Sequence, residues 1–221
     1  MKPSNYDKFP FVPVPDGENA CVQGWSDIAA RLRQSIAQRT SKKTVLIVEC
    51  YTGVDEKSVL RELQSRLAPA LSFRAADAML APEAIDELVK SFLGGADPVF
   101  GFLSGLTLPQ FFSDEKLGRL GAQVAGISEG VVLIVGCGAS LVTAADILVY
   151  ADLARWEGQL RYRRNEAGNL GVENRSLAAG LQYKRAFFVD WRVCDRWKRP
   201  LIAKWDFVLD THQPHAPKLA D

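Results

Sequence analysis

The sequence predicts an α/β fold in three layers, with a parallel sheet of about five strands and helices on both sides. Three observations predict it. Gly130 to Val135 and Asp146 to Asp152 are apolar almost throughout, as strands covered on both faces are. Thr44 to Leu67 reads as a strand, a tight turn and an amphipathic helix. Strand and helix patterns then alternate, which implies parallel strands joined by crossovers.

Residues 1–23 carry Pro3, Pro10, Pro13 and Pro15 and are expected to form an extended arm, with Tyr6, Phe9 and Phe11 available to dock it. Ser26 is the expected cap of a helix over 26–39, where Trp25, Ile28, Leu32 and Ile36 recur at helical spacing. The strand 44–50 and the helix 55–67 follow, with Asp55 as the helix cap. Leu71 to Arg74 is a short strand running toward Asp77, and Pro82 opens a helix that ends before Gly94 and Gly95. Asp97 to Leu108 reads as a loop with a short strand or turn, and Leu117 to Val124 as a helix. After the strand 130–135 and the turn Gly136 to Gly138 come the strand 146–152 and a helix from Leu153 to Glu166. Gly168 and Gly171 break the pattern before a second helix, Leu177 to Trp197. Lys204 to Asp210 is expected to close the sheet, leaving 24–210 as the domain and 211–221 as a linker.

Composition narrows the function. The 221 residues have a net charge of +1, which gives no electrostatic reason to expect nucleic acid or an acidic membrane surface as partner. Cys21, Cys50, Cys137 and Cys194 are scattered without metal-ligand spacing, the pattern of reduced thiols in a cytoplasm. The two histidines, His212 and His215, both fall near the end, so a histidine-built metal site is not expected. No apolar run is long enough for a membrane helix.

The chemistry is expected beyond the carboxyl ends of the strands. A strand-to-helix turn offers free N–H groups and a positive helix end to an anion. Laid on the pattern G-x-x-x-x-G-K-[ST], residues 51–58 keep Lys57 and Ser58, with Gly53 between them and the strand, but carry Tyr51 and Glu56 at the two glycine positions. That leaves two readings, a phosphate site or a plain turn with a solvated lysine. Arg161, Arg163 and Arg164, followed by Arg175, form a basic segment suited to phosphate oxygens, or else a solvated helix face paired with Glu157 and Glu166. Asp77 is placed either to accept a proton from a substrate hydroxyl or to cap a turn, and Glu49 is a candidate contact for Mg²⁺.

Two resemblances appear at these residues. VLIVECYTGVDEKSVL, GVVLIVGCG, DILVYADL with its Arg-rich helix, and KWDFVLD resemble a uridine-kinase-type P-loop domain. That likeness implies ATP and Mg²⁺ as cofactors, Asp77 acting on the acceptor hydroxyl, and Arg161, Arg163 and Arg164 as phosphate-holding lid residues. SNYDKFP, ECYTGVDEK, DPVFGFLSGLTLPQFF and the run from DLARWEGQLRYRRNE to QYKRAFFVDWRVCD are similar to the N-terminal region of long bacterial class I mannose-6-phosphate isomerase-like proteins, over nearly the whole chain. This implies a kinase-like module that precedes a zinc cupin isomerase domain and binds a small phosphorylated ligand or nucleotide. The zinc ligands of that cupin are not assembled here. The expectation is a degenerate nucleotide- or sugar-phosphate-binding module, with an active kinase or a non-catalytic scaffold for the isomerase domain as alternatives.

Overall fold

A computed structural model describes residues 13, 15, 17, 20–95 and 97–221. Its single sheet has seven strands: β1 Cys21–Gln23, β2 Lys43–Cys50, β3 Leu71–Arg74, β4 Gly130–Gly136, β5 Ile147–Asp152, β6 Phe207–Asp210 and β7 Lys218–Ala220, in the order β1-β7-β6-β5-β2-β4-β3. Five of these, β3, β4, β2, β5 and β6, pair in parallel. The remaining two extend the β6 edge by antiparallel pairing. In register, Ile47 lies between Ile134 and Leu148, so the most apolar stretches of the chain form the centre of the sheet.

Side chains alternate across the sheet and feed two cores. Leu46, Val48, Leu133 and Val149 face α1 (Trp25–Ala37) and α2 (Glu56–Leu67), which supply Ile28, Leu32, Val59 and Leu63. Val45, Ile47, Ile134 and Tyr150 face the other way, toward α3 (Pro82–Lys90), α4 (Asp114–Gly126) and the last helices. Those are α5 (Arg155–Arg163), α6 (Ala179–Arg185) and α7 (Trp191–Lys198). The three-layer arrangement is therefore observed. No helix among the described residues is long and apolar enough to cross a membrane.

Several local expectations change. The helix expected to start at a Ser26 cap starts at Trp25, after Gly24 and with no side-chain cap. The helix expected over 153–166 is confined to 155–163. No strand forms between Asp97 and Thr107; the segment is a loop leading into a 3₁₀ turn over Leu108–Phe111. The helix over 177–197 is two α-helices joined by a π turn at Ala186–Asp190. Lys204 to Asp210 does not close the sheet, because residues 218–220, expected in a linker, return as β7 to pair with β6 and β1. Leu219 is buried in the core there, which gives the tail its reason to fold back. Residues 21–23 of the expected arm are β1 itself, and Tyr6, Phe9 and Phe11 lie outside the described residues.

Candidate functional site

Five residues, 51–55, connect β2 to α2. They form a β-turn in which the Val54 N–H reaches the Tyr51 carbonyl at 3.2 Å and Gly53 takes φ +96°. A positive φ at the third turn position is what a type II turn demands, so glycine belongs there. Asp55 then caps α2 by accepting the Ser58 N–H at 3.1 Å, as expected from the sequence.

The side chains at the two missing glycine positions go to different places. Tyr51 is buried, and its hydroxyl donates to Asp195 at 2.8 Å and accepts from Arg155 at 3.2 Å. Glu56 reaches sideways from the first turn of α2, and its Oε1 accepts the Cys137 N–H at 2.7 Å. Its neighbour Glu49 does the same from the sheet: Oε1 takes the Gly138 N–H at 2.6 Å and Oε2 the Ser140 N–H at 2.9 Å. Two carboxylates therefore fill the anion-binding backbone of the loop after β4. Burial pushes both up to about 7, with the N–H bonds opposing the rise. Glu49 is wholly shielded from solvent, and both its oxygens already hold backbone donors. It does not fit the Mg²⁺ contact expected of it.

Beyond the strand ends lies a cleft of about 530 Å³. The 52–57 turn forms one wall, Arg74 to Pro82 a second, and the segment Glu166 to Arg175 a third. Of the residues singled out by sequence, Gly53, Lys57, Arg161 and Arg175 line it, whereas Ser58, Asp77, Arg163 and Arg164 do not. Ser58 accepts a bond from Arg61 on the outer side of α2. Asp77 is exposed and paired with Arg74 at 3.3 Å, so it is not set to take a proton from a ligand in the cleft. Arg163 is exposed, and Arg164 is tied to Glu157 at 2.6 Å and Glu166 at 2.9 Å.

Arg161 is no lid residue. Its side chain is 4% exposed, and its fork is spent on Glu157 Oε1 at 3.2 Å, the Gly53 carbonyl at 2.9 Å and the Thr211 carbonyl at 2.7 Å. It ties the β2–α2 turn to the exit of β6. Burial alone would raise Glu157, but hydrogen bonds from Arg164 and Arg161 hold it below the usual carboxylate range.

Two further cations line the cleft, Arg74 at a strand exit that the sequence pointed to and Lys116, to which it did not. Arg74 ends β3, one of the strand ends where ligands are expected, while Lys116 comes from α4, far along the chain, and donates to the Met79 carbonyl at 2.7 Å. Lys57 and Arg175 both meet Glu173, at 3.2 and 3.3 Å. Met79, Leu80, Pro82, Leu170 and Val172 supply an apolar lining between these charges.

The third wall is held rigid from behind. Asn169 donates to Asp190 at 2.6 Å and to the Gln182 carbonyl at 3.0 Å, while Gln182 returns bonds to the Ala167 and Asn174 carbonyls. Asp190 is fully buried in the π turn, and such turns recur at functional sites. Cys137 and Cys194 bring their sulfurs to 3.7 Å, and their mutual contact together with burial raises the Cys137 thiol well above its ordinary range. Among the described residues no group of three or more His, Cys, Asp and Glu side chains gathers as a metal site.

No curated protein matches the chain. A family model does, over residues 24–221, from the first turn of α1 through β7. The chain belongs to that family, a domain of unknown function (DUF8485).

Proposed function

We propose that this domain binds a small phosphorylated ligand, a nucleotide or a sugar phosphate, in the cleft beyond the carboxyl ends of its parallel strands. One observation carries the reading: Lys57, Arg74, Lys116 and Arg175, from four separate elements, line one cleft at the start of α2. Convergent cations beside a helix N-terminus favour an anion, and the apolar lining between them suits a ligand with an uncharged body. The fold is read as a kinase-like P-loop domain whose phosphate loop has contracted to a β-turn. The resemblance to the isomerase-like proteins makes mannose 6-phosphate and nucleotides the first ligands to try, with a cupin isomerase domain as the associated partner. Binding without phosphoryl transfer is the better-supported form. Asp77 lies outside the cleft, and the carboxylates nearest the turn are engaged with backbone N–H groups.

A specific observation also favours the scaffold alternative: Val99, Phe100, Phe102 and Leu103 are 62–70% exposed on one loop, where an associated domain would find apolar surface.

Thermal melts with inorganic phosphate, ATP–Mg²⁺, UTP and mannose 6-phosphate test the proposal. A ligand at a hundred times its Kd adds about 2.7 kcal/mol of stability. Lys57→Ala should weaken binding of whichever ligand shifts the melt by about tenfold, the value of one charge-assisted hydrogen bond at a half-open site. If none of the four shifts the melt, the ligand-binding reading is wrong and the scaffold remains.

A further inference from the structure

We infer that Glu173 is an internal ligand of the cleft, a carboxylate that holds its cations until a phosphate dianion displaces it. The inference rests on the binding reading above. Glu173 Oε1 lies 3.2 Å from Lys57 Nζ, and Oε2 lies 3.3 Å from Arg175 Nε. Arg74 lines the same cleft, and its charge joins theirs in holding the carboxyl below its usual range against the opposing effect of burial. The anion those cations attract is already present, and it belongs to the protein.

The backbone and the side chain of Glu173 are held very differently. On either side of it the segment is pinned: the Asn169 N–H donates to Asn174 Oδ1 at 2.9 Å, and Asn174 Nδ2 returns a bond to Asn169 Oδ1 at 2.9 Å. The Glu173 side chain itself is 67% exposed, and among the described residues its ion pairs are these two. Exposed pairs of this kind are weak and exchange readily. A rotamer change is therefore enough to vacate the site, and the wall need not move.

Charge then sets what can take its place. A monoanion exchanging with a carboxylate gains nothing in charge. A phosphate monoester carries about −1.5 to −2 at pH 7 and offers three acceptor oxygens, enough to engage Lys57 and Arg175 together. Displacing Glu173 costs every ligand the same, so a dianion, which interacts more strongly with the cations, repays that cost where a carboxylate does not.

Isothermal titration of inorganic phosphate and pyrophosphate into the wild-type protein and Glu173→Gln tests this. The variant should bind about 3- to 10-fold more tightly, since the two exposed ion pairs no longer compete. In a Lys57→Ala background the gain should shrink to that of the Arg175 pair alone, a coupling that a merely structural role for Glu173 would not produce. Equal or weaker binding by Glu173→Gln, with the wild type binding normally, overturns the displacement and leaves the cleft's function standing. Binding by neither protein overturns the displacement, and, where ATP–Mg²⁺, UTP and mannose 6-phosphate also leave the melt unshifted, the binding reading with it.

Discussion

Arg161→Met is expected to destabilise the protein by about 3 kcal/mol, seen as a lower urea midpoint, whether or not any ligand is present. The reason is what the guanidinium leaves behind. Two carbonyls, those of Gly53 and Thr211, lose their donor, and Glu157 loses one of its two arginine partners at a position that water scarcely reaches. An orphaned buried acceptor costs about 1–3 kcal/mol, and these losses share one site. Against a total stability of about 5–15 kcal/mol the change is large. Arg161→Lys should recover only part of it, because a lysine has no planar fork to meet three acceptors at once. If Arg161 were instead a lid residue, Arg161→Met would leave the urea midpoint in place and weaken ligand binding alone.

The second large effect is a pH dependence that runs opposite to ordinary acid denaturation. Glu49 is raised from 4.5 to about 7 in the fold, mainly by loss of hydration. The folded state therefore binds a proton more readily than the unfolded chain between those values. Its contribution to stability is full below about pH 4.5 and gone above about pH 7. Glu56, raised to about 7 as well, acts in the same direction. At about 1.4 kcal/mol per pH unit, Glu49 alone makes the protein on the order of 3 kcal/mol more stable at pH 5 than at pH 8. Glu157 and Glu173 are held below their usual range, so their contributions fade only below that window. Urea unfolding at pH 5 and pH 8 measures the slope, and Glu49→Gln, which cannot ionise, should make it shallower, leaving the part that Glu56 supplies. A wild-type profile that is flat or rises toward pH 8 would contradict the assignment.

The central strands were legible because burial on both faces leaves no polar residues in their middles, as in Val131 to Val135. The Asp55 cap was legible because it lies next to its own helix. The outer strands were not. Cys21–Gln23 and Lys218–Ala220 are three residues each with mixed polarity, and only pairing across the length of the chain makes them strands. The π turn was hidden because the apolar residues of Ala186–Val189 suit either kind of helix. The basic segment shows a subtler gap. The reading of Arg161 and Arg164 as partners of Glu157 and Glu166 agrees with the structure, and the spacing 157, 161, 164 carried that signal. What spacing could not supply was depth: one of the two guanidiniums is buried and the other is open to water. Likewise Lys57 was visible in its motif, while the carboxylate facing it comes from a loop 116 residues along the chain.

The wider turn at Ala186–Asp190 also fixes an angle. An α-helix advances each residue by about 100°, so accommodating one more residue per turn rotates everything after it relative to everything before. α6 and α7 are thereby freed from sharing a single phase. α6 turns Gln182 and Arg185 toward the third wall of the cleft, while α7 turns Asp195 toward Tyr51 and Lys198 toward Asp152. Removing one residue from this stretch would restore uniform winding and swing the second set of side chains about a quarter-turn away from their partners, while the first set stayed in place.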